Sequence, residues 1–92
     1  MHEVAIAQAI LDVVLDIATG QPVRTVRVQA GELQAVTQAS LQTCFEMVAM
    51  DTPAATAQLE VEIVAGDGLT IEAIQLGDGW RFRPDLVHHG MT

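Results

Sequence analysis

Met1, His2 and Glu3 are three consecutive residues whose donors can act together on one metal ion. The terminal amine, the peptide nitrogens of His2 and Glu3, and the His2 imidazole can close fused five- and six-membered chelate rings. Such a nitrogen-rich, roughly square-planar set suits Ni(II) or Cu(II). Met1 is expected to be retained, because the aminopeptidase that removes initiator methionine generally needs a small second residue and His2 is not small. The amine is then free. The opposing reading is that His2 is simply the second residue of an ordinary N-terminal strand.

The other reactive residue types offer less. Cys44 is the one cysteine; it can make neither an internal disulfide nor the paired knuckles of a structural zinc site. It falls within an apolar helical stripe, where a buried inert thiol is the reading to set against a ligand or nucleophile. Glu60 and Glu62 form a carboxylate pair at strand spacing, a pattern that usually supplies solubilising charge on a solvated face. His88 and His89 lie near the C-terminus, where they are either solvated or able to reach the terminal site as axial or replacement ligands. The chain has no phosphate loop, no nucleophile elbow and no His-Glu-x-x-His, so it is not read as an enzyme.

Composition bounds the rest. Ninety-two residues make one domain with a small core, and half of them are apolar. The formal net charge of −8 argues against binding to a phosphate backbone. Gln8, Asp12 and Asp16 interrupt the longest apolar stretch, which falls short of the roughly 20 residues that cross a bilayer. No basic leader is read at the start, so the expected compartment is the cytoplasm.

The elements that must position the terminal residues follow from periodicity. Ala7, Ile10, Leu11, Val14, Ile17 and Ala18 recur at helical spacing, predicting a first helix from about Ala5 to Thr19-Gly20, with Met1 to Val4 as a short edge strand or lead-in. Gly20 is placed for a left-handed cap and Pro22 prevents continuation. Val23 to Ala30 reads as a strand with Val26, Val28 and Ala30 on one face and Thr25, Arg27 and Gln29 on the other. Gly31-Glu32-Leu33 closes it. Thr37 is placed to cap a second helix, from about Gln38 to Met50, whose stripe is Leu41, Cys44, Phe45, Val48 and Ala49. Gln58 to Val64 alternates cleanly, with Leu59, Val61 and Ile63 expected inward. Gly66-Asp67-Gly68 is a tight-turn signature, so this strand and Leu69 to Leu76 are expected to pair as an antiparallel hairpin. After Gly77-Asp78-Gly79, Trp80 to Arg83 offers a further short strand with Trp80 and Phe82 on one side. Residues 85–92 are expected to form a flexible tail beyond a single domain of residues 1–84.

Taken in order, Met1-His2-Glu3, the first helix, Gly31-Glu32-Leu33, Phe45-Glu46 and Leu59-Glu60-Val61-Glu62 resemble the nickel-binding domain of the HypA/HybF family. The resemblance covers about residues 1–76. It implies a nickel metallochaperone of [NiFe]-hydrogenase maturation, with Met1, His2 and Glu3 as donors to a transiently bound Ni(II). The implied partners are a hydrogenase large subunit or the maturation GTPase HypB. Two features depart from the family pattern. Its usual zinc ribbon, with two Cys-x-x-Cys knuckles, is replaced here by the turn Val64 to Leu69, so no structural zinc is expected. Thr37 stands where the family usually has Asp or Glu, and it cannot supply an anionic ligand.

The expected fold is α+β in the order β-α-β-α-β-β, with two helices packed on one face of a mainly antiparallel sheet. An exposed sheet face or edge would invite partners, a second copy of the chain among them. The alternative to a metallochaperone is an adaptor, an interaction module of HypA type that binds a hydrogenase or a maturation partner without delivering metal.

Overall fold

The computed structural model describes His2–Phe82, which form two helices, one 3₁₀ turn and four strands. Helix α1 is His2–Ala18, strand β1 is Val23–Gly31, the 3₁₀ turn is Glu32–Gln34, and helix α2 is Gln38–Val48. Strands β2, β3 and β4 are Gln58–Val64, Leu69–Leu76 and Gly79–Phe82. The expected tail over residues 85–92, the domain boundary at 84, and the placement of Met1 and Arg83 lie outside the described residues.

The α+β class holds, with both helices against a mostly antiparallel sheet. The leading strand does not. The helix starts at His2, three residues earlier than its periodicity suggested, because Ile6 joins Ala7, Ile10, Leu11, Val14 and Ala18 on the buried face. The turn before Ile6 then extends the same helix, and Glu3 places a negative charge at its positive end. At the other end Thr19 and Gly20 both take positive φ, 48° and 90°, so the left-handed exit begins one residue before the glycine.

The sheet order is β2-β1-β3-β4. Strands β2 and β3 therefore do not form the expected hairpin; β1 lies between them. It pairs in parallel with β2, Val26 opposite Leu59, and antiparallel with β3, Val26 opposite Ile74. Two parallel neighbours need a long connection, and α2 provides it. The short loop 65–68 must then cross the end of β1. That gap is about 10 Å, two strand spacings, and four residues can reach about 13 Å. The loop crosses at Gly31, where a Cβ would lie 2.3 Å from the Gly66 carbonyl oxygen, so only glycine allows the passage. The hairpin the sequence does contain is β3–β4, closed around Gly77-Asp78 with Leu76 opposite Gly79.

Val26, Val28 and Ala30 of β1, Leu59 of β2, and Ile74 and Leu76 of β3 make the sheet side of the core. Against them pack the α1 stripe and Leu41, Phe45 and Ala49 of α2. Cys44 and Val48 are only partly buried against this core. Ile63, expected inward, is 49% exposed. The helix that covers β2 begins at Gln38, level with Val61, so Ile63 extends past its end.

Glutamines of α2 also finish the edge of β2. Val61 N–H donates to Gln38 Oε1 and Gln38 Nε2 to the Leu59 carbonyl, both at 2.8 Å. Leu59 N–H donates to Gln42 Oε1 at 2.7 Å and Gln42 Nε2 to the Ala57 carbonyl at 3.3 Å. One turn apart, the two carboxamides serve that edge as a neighbouring strand would.

Candidate metal centre

His2 and Glu3 occupy the first turn of α1. An α-helix leaves its first four N–H groups without intrahelical acceptors. The peptide nitrogens of His2 and Glu3 are therefore not engaged by the helix they begin, which is the condition for their use as metal donors. The His2 imidazole reaches across to the 3₁₀ turn, where its Nε2 meets the Gln34 carbonyl oxygen. A carbonyl only accepts, so Nε2 carries a proton in this contact, and in the neutral imidazole the lone pair is then on Nδ1. Nδ1 is the ring nitrogen that can close a six-membered chelate with the His2 peptide nitrogen. In that tautomer the hydrogen bond leaves open the nitrogen that such a chelate would use.

The turn that receives His2 is itself tied to the crossover loop. Gly31 N–H donates to the Gly68 carbonyl at 2.7 Å and Leu33 N–H to the Gly66 carbonyl at 3.0 Å. Between them, Gln34 Nε2 donates to the Asp67 carbonyl. Three consecutive carbonyls of the loop hold the turn, and the turn holds His2. Gly31-Glu32-Leu33 and the start of α1 accordingly share one rim of the molecule, with Glu32 exposed and Leu33 73% exposed.

Thr37 does what a capping residue does: its Oγ1 accepts from Ser40 N–H at 3.1 Å, and Ser40 Oγ accepts in return from Thr37 N–H at 3.4 Å. Glu60 and Glu62 are taken up in cross-strand pairs on the open sheet face, Glu60 with Arg27 at 2.9 Å and Glu62 with Gln29 at 3.0 Å. Arg27 also lies over the Trp80 ring, 4.5 Å from its centroid, and Trp80 stacks on Phe82. Arg27, Glu60, Glu62, Glu72 and Phe82 line a shallow groove of about 490 Å³ on that face. His88, His89 and the Met1 amine fall outside the described residues. Among the described residues no three His, Cys, Asp or Glu side chains converge on one point. The terminal set, with backbone nitrogens as its main donors, stays the candidate.

A model of the family described as hydrogenase/urease nickel incorporation metallochaperone, HypA, matches residues 1–74. The chain belongs to the HypA family. Proteins named hydrogenase maturation factor HypA resemble it along most of its length. That of Methanopyrus kandleri is 34% identical over 84 residues, which cover 88% of this chain and 57% of that protein. That of Desulfatibacillum aliphaticivorans is 39% identical over 66 residues, 67% of this chain and 51% of the relative. That of Rhizobium leguminosarum is 28% identical over 95 residues, 97% of this chain and 84% of the relative. The chain thus spans little more than half the length of the first two. The family match runs from Met1 to Ile74 in β3, and so includes the rim, the crossover and both helices of the HypA-type domain.

Gln34 and Asp67 were not legible as contributors to this end of the molecule. Gln34 acts through its backbone carbonyl, which any residue possesses, and Asp67 through a carbonyl in what reads as a plain turn.

Proposed function

We propose that this chain holds Ni(II) at its amino terminus and passes it on during [NiFe]-hydrogenase maturation, in the cytoplasm and without catalysing a reaction. The donors are the Met1 amine, the peptide nitrogens of His2 and Glu3, and His2 Nδ1. The observation that carries the reading is the hydrogen bond from His2 Nε2 to the Gln34 carbonyl, which leaves Nδ1 for the chelate. A planar set through two successive peptide nitrogens is incompatible with helical dihedrals at those residues. Loading therefore requires the first turn of α1 to open. The buried face of α1 begins at Ile6, so the opening exposes none of the core side chains. Such a site takes and releases its cargo at the cost of one helical turn, which suits transfer better than storage.

The partner is a hydrogenase large subunit or the HypB GTPase, docked at the rim where Glu32 and Leu33 flank His2. Family members also bear the description of urease nickel incorporation, which makes a urease a second client to test. No structural zinc belongs to this reading: elemental analysis should find no stoichiometric zinc, and a chelator should leave the melting temperature nearly unchanged.

Calorimetry on tag-free wild type, His2→Ala and a protein extended by one N-terminal glycine tests the site. Wild type should bind one Ni(II) and the two variants should lose most of the affinity, more so as protons compete at lower pH. Equal affinity in all three removes the site. The adaptor reading is separated by client nickel content: a metallochaperone with His2→Ala still binds its client but no longer raises that content, whereas an adaptor is unaffected. Thr37, occupied in capping α2 and unable to bring a negative charge, is the feature that favours the adaptor.

A further inference from the structure

We infer that Gln34 is the positioning residue of the metal end, an inference that rests on the nickel reading above. Its two polar groups serve different elements. The backbone carbonyl receives His2 Nε2–H, and the side-chain Nε2 donates to the Asp67 carbonyl. One residue thereby joins the helix start to the crossover loop.

The stiffness of that joint comes from its neighbours. Leu33 N–H and Gly31 N–H are bonded to the Gly66 and Gly68 carbonyls on either side of Asp67, and Ala35 N–H closes the turn onto the Glu32 carbonyl at 3.1 Å. Ala35 takes a left-handed φ of 57°, unusual for a residue with a side chain, and this tight exit fixes the direction of the carbonyl that precedes it. A histidine at a chain terminus would otherwise rotate freely about both side-chain torsions. Held at Nε2 while the backbone of the first turn opens, the ring stays restricted in orientation, so less freedom is lost on binding. The side-chain arm of Gln34 is the part of this joint that mutation can remove, because the carbonyl is common to every residue.

The test compares tag-free wild type with Gln34→Met, which keeps length but has no donor, and Gln34→Lys, which restores an N–H donor. Gln34 is partly exposed, so both variants should fold, which their melting curves check. Three quantities are read: Ni(II) affinity, the absorption band of planar Ni(II), and the His2 ring nitrogen resonances without metal. Gln34→Met should weaken Ni(II) binding by about tenfold, the lower end for loss of a group that orients a ligand. It should also shift the metal-free Nε2 resonance toward that of a free histidine, and Gln34→Lys should recover most of both. Wild-type affinity and unmoved ring resonances in Gln34→Met overturn the role while leaving the nickel reading intact. A weakened affinity with unmoved ring resonances also overturns it. Failure of wild type to bind Ni(II) defeats the nickel reading and this role with it, and is told apart by being seen before any variant is made.

Discussion

Replacing Gly31 by alanine probes the crossover on which both the sheet order and the rim that carries His2 depend. The new Cβ would lie 2.3 Å from the Gly66 oxygen, 2.5 Å from the Gly66 carbonyl carbon and 2.7 Å from the Asp67 nitrogen. Ordinary contact begins at 3.4 Å, so the loop must withdraw by 3.4 − 2.3 = 1.1 Å. All three obstructing atoms are backbone, and no rotamer change relieves them. Withdrawal pulls apart the Gly31–Gly68 and Leu33–Gly66 hydrogen bonds, which run at 2.7 and 3.0 Å and have little length to spare. Their loss costs about 1 kcal/mol each, and the steric conflict about 1–3 kcal/mol more. A destabilisation of about 3–5 kcal/mol is expected, against the ~5–15 kcal/mol that a small domain possesses. Two neighbouring glycines serve as controls. Gly66 has open space but a φ of 99°, so alanine there costs about 1–2 kcal/mol through backbone strain alone. Gly68 has open space and no positive φ, so alanine there should be neutral or stabilise by about 0.4–1 kcal/mol. Urea unfolding of the three variants should rank them Gly31, Gly66, Gly68 in falling cost. Gly31→Ala at or below the cost of Gly66→Ala would refute the crossing of the loop over β1.

Gln42→Met should cost about 1–3 kcal/mol, because it leaves Leu59 N–H and the Ala57 carbonyl without their partner at a partly buried edge; urea melts measure this, and a cost under about 0.5 kcal/mol contradicts it. Since the same change uncovers the β2 edge, sedimentation should also show concentration-dependent association beyond that of wild type. Ala35→Gly should raise stability by about 0.5–1 kcal/mol, as relief of the left-handed strain at φ 57° exceeds the added chain entropy; a lowered melting temperature would show the conformation to be unstrained. Asp78 accepts from Arg81 at 3.2 Å, and this hydrogen bond holds its carboxyl below the usual aspartate range. A carboxyl lowered on folding adds stability above its unfolded pKa and loses it as pH falls through the folded one. The stability gap between wild type and Arg81→Gln should therefore be present at neutral pH and close in acid below the aspartate range; a gap of constant size across that range would rule out the ion pair as its cause.

Periodicity within the chain was enough to determine the buried face of most elements. The stripe of α1, the two faces of β1, the Thr37 cap of α2 and the Trp80–Phe82 pair on β4 all follow from spacing, because each depends on residues a few positions apart. Met1-His2-Glu3 could be singled out as a candidate for the same reason, because the donors proposed there are adjacent atoms. Pairing was different. Gly66-Asp67-Gly68 carries the local signature of a hairpin, and nothing in residues 58–76 says that another strand will come between its arms. That was decided by β1, which needs hydrogen-bonding partners on both sides, and by Gly31, whose missing side chain lets the loop pass over it. Ile63 alternates correctly with Leu59 and Val61, yet its exposure depends on where a helix from a different part of the chain begins. The partner of His2 was beyond sequence reasoning altogether. It is a backbone carbonyl 32 positions away, and a carbonyl has no residue type; only folding α1, the 3₁₀ turn and the crossover onto one rim brings it within reach.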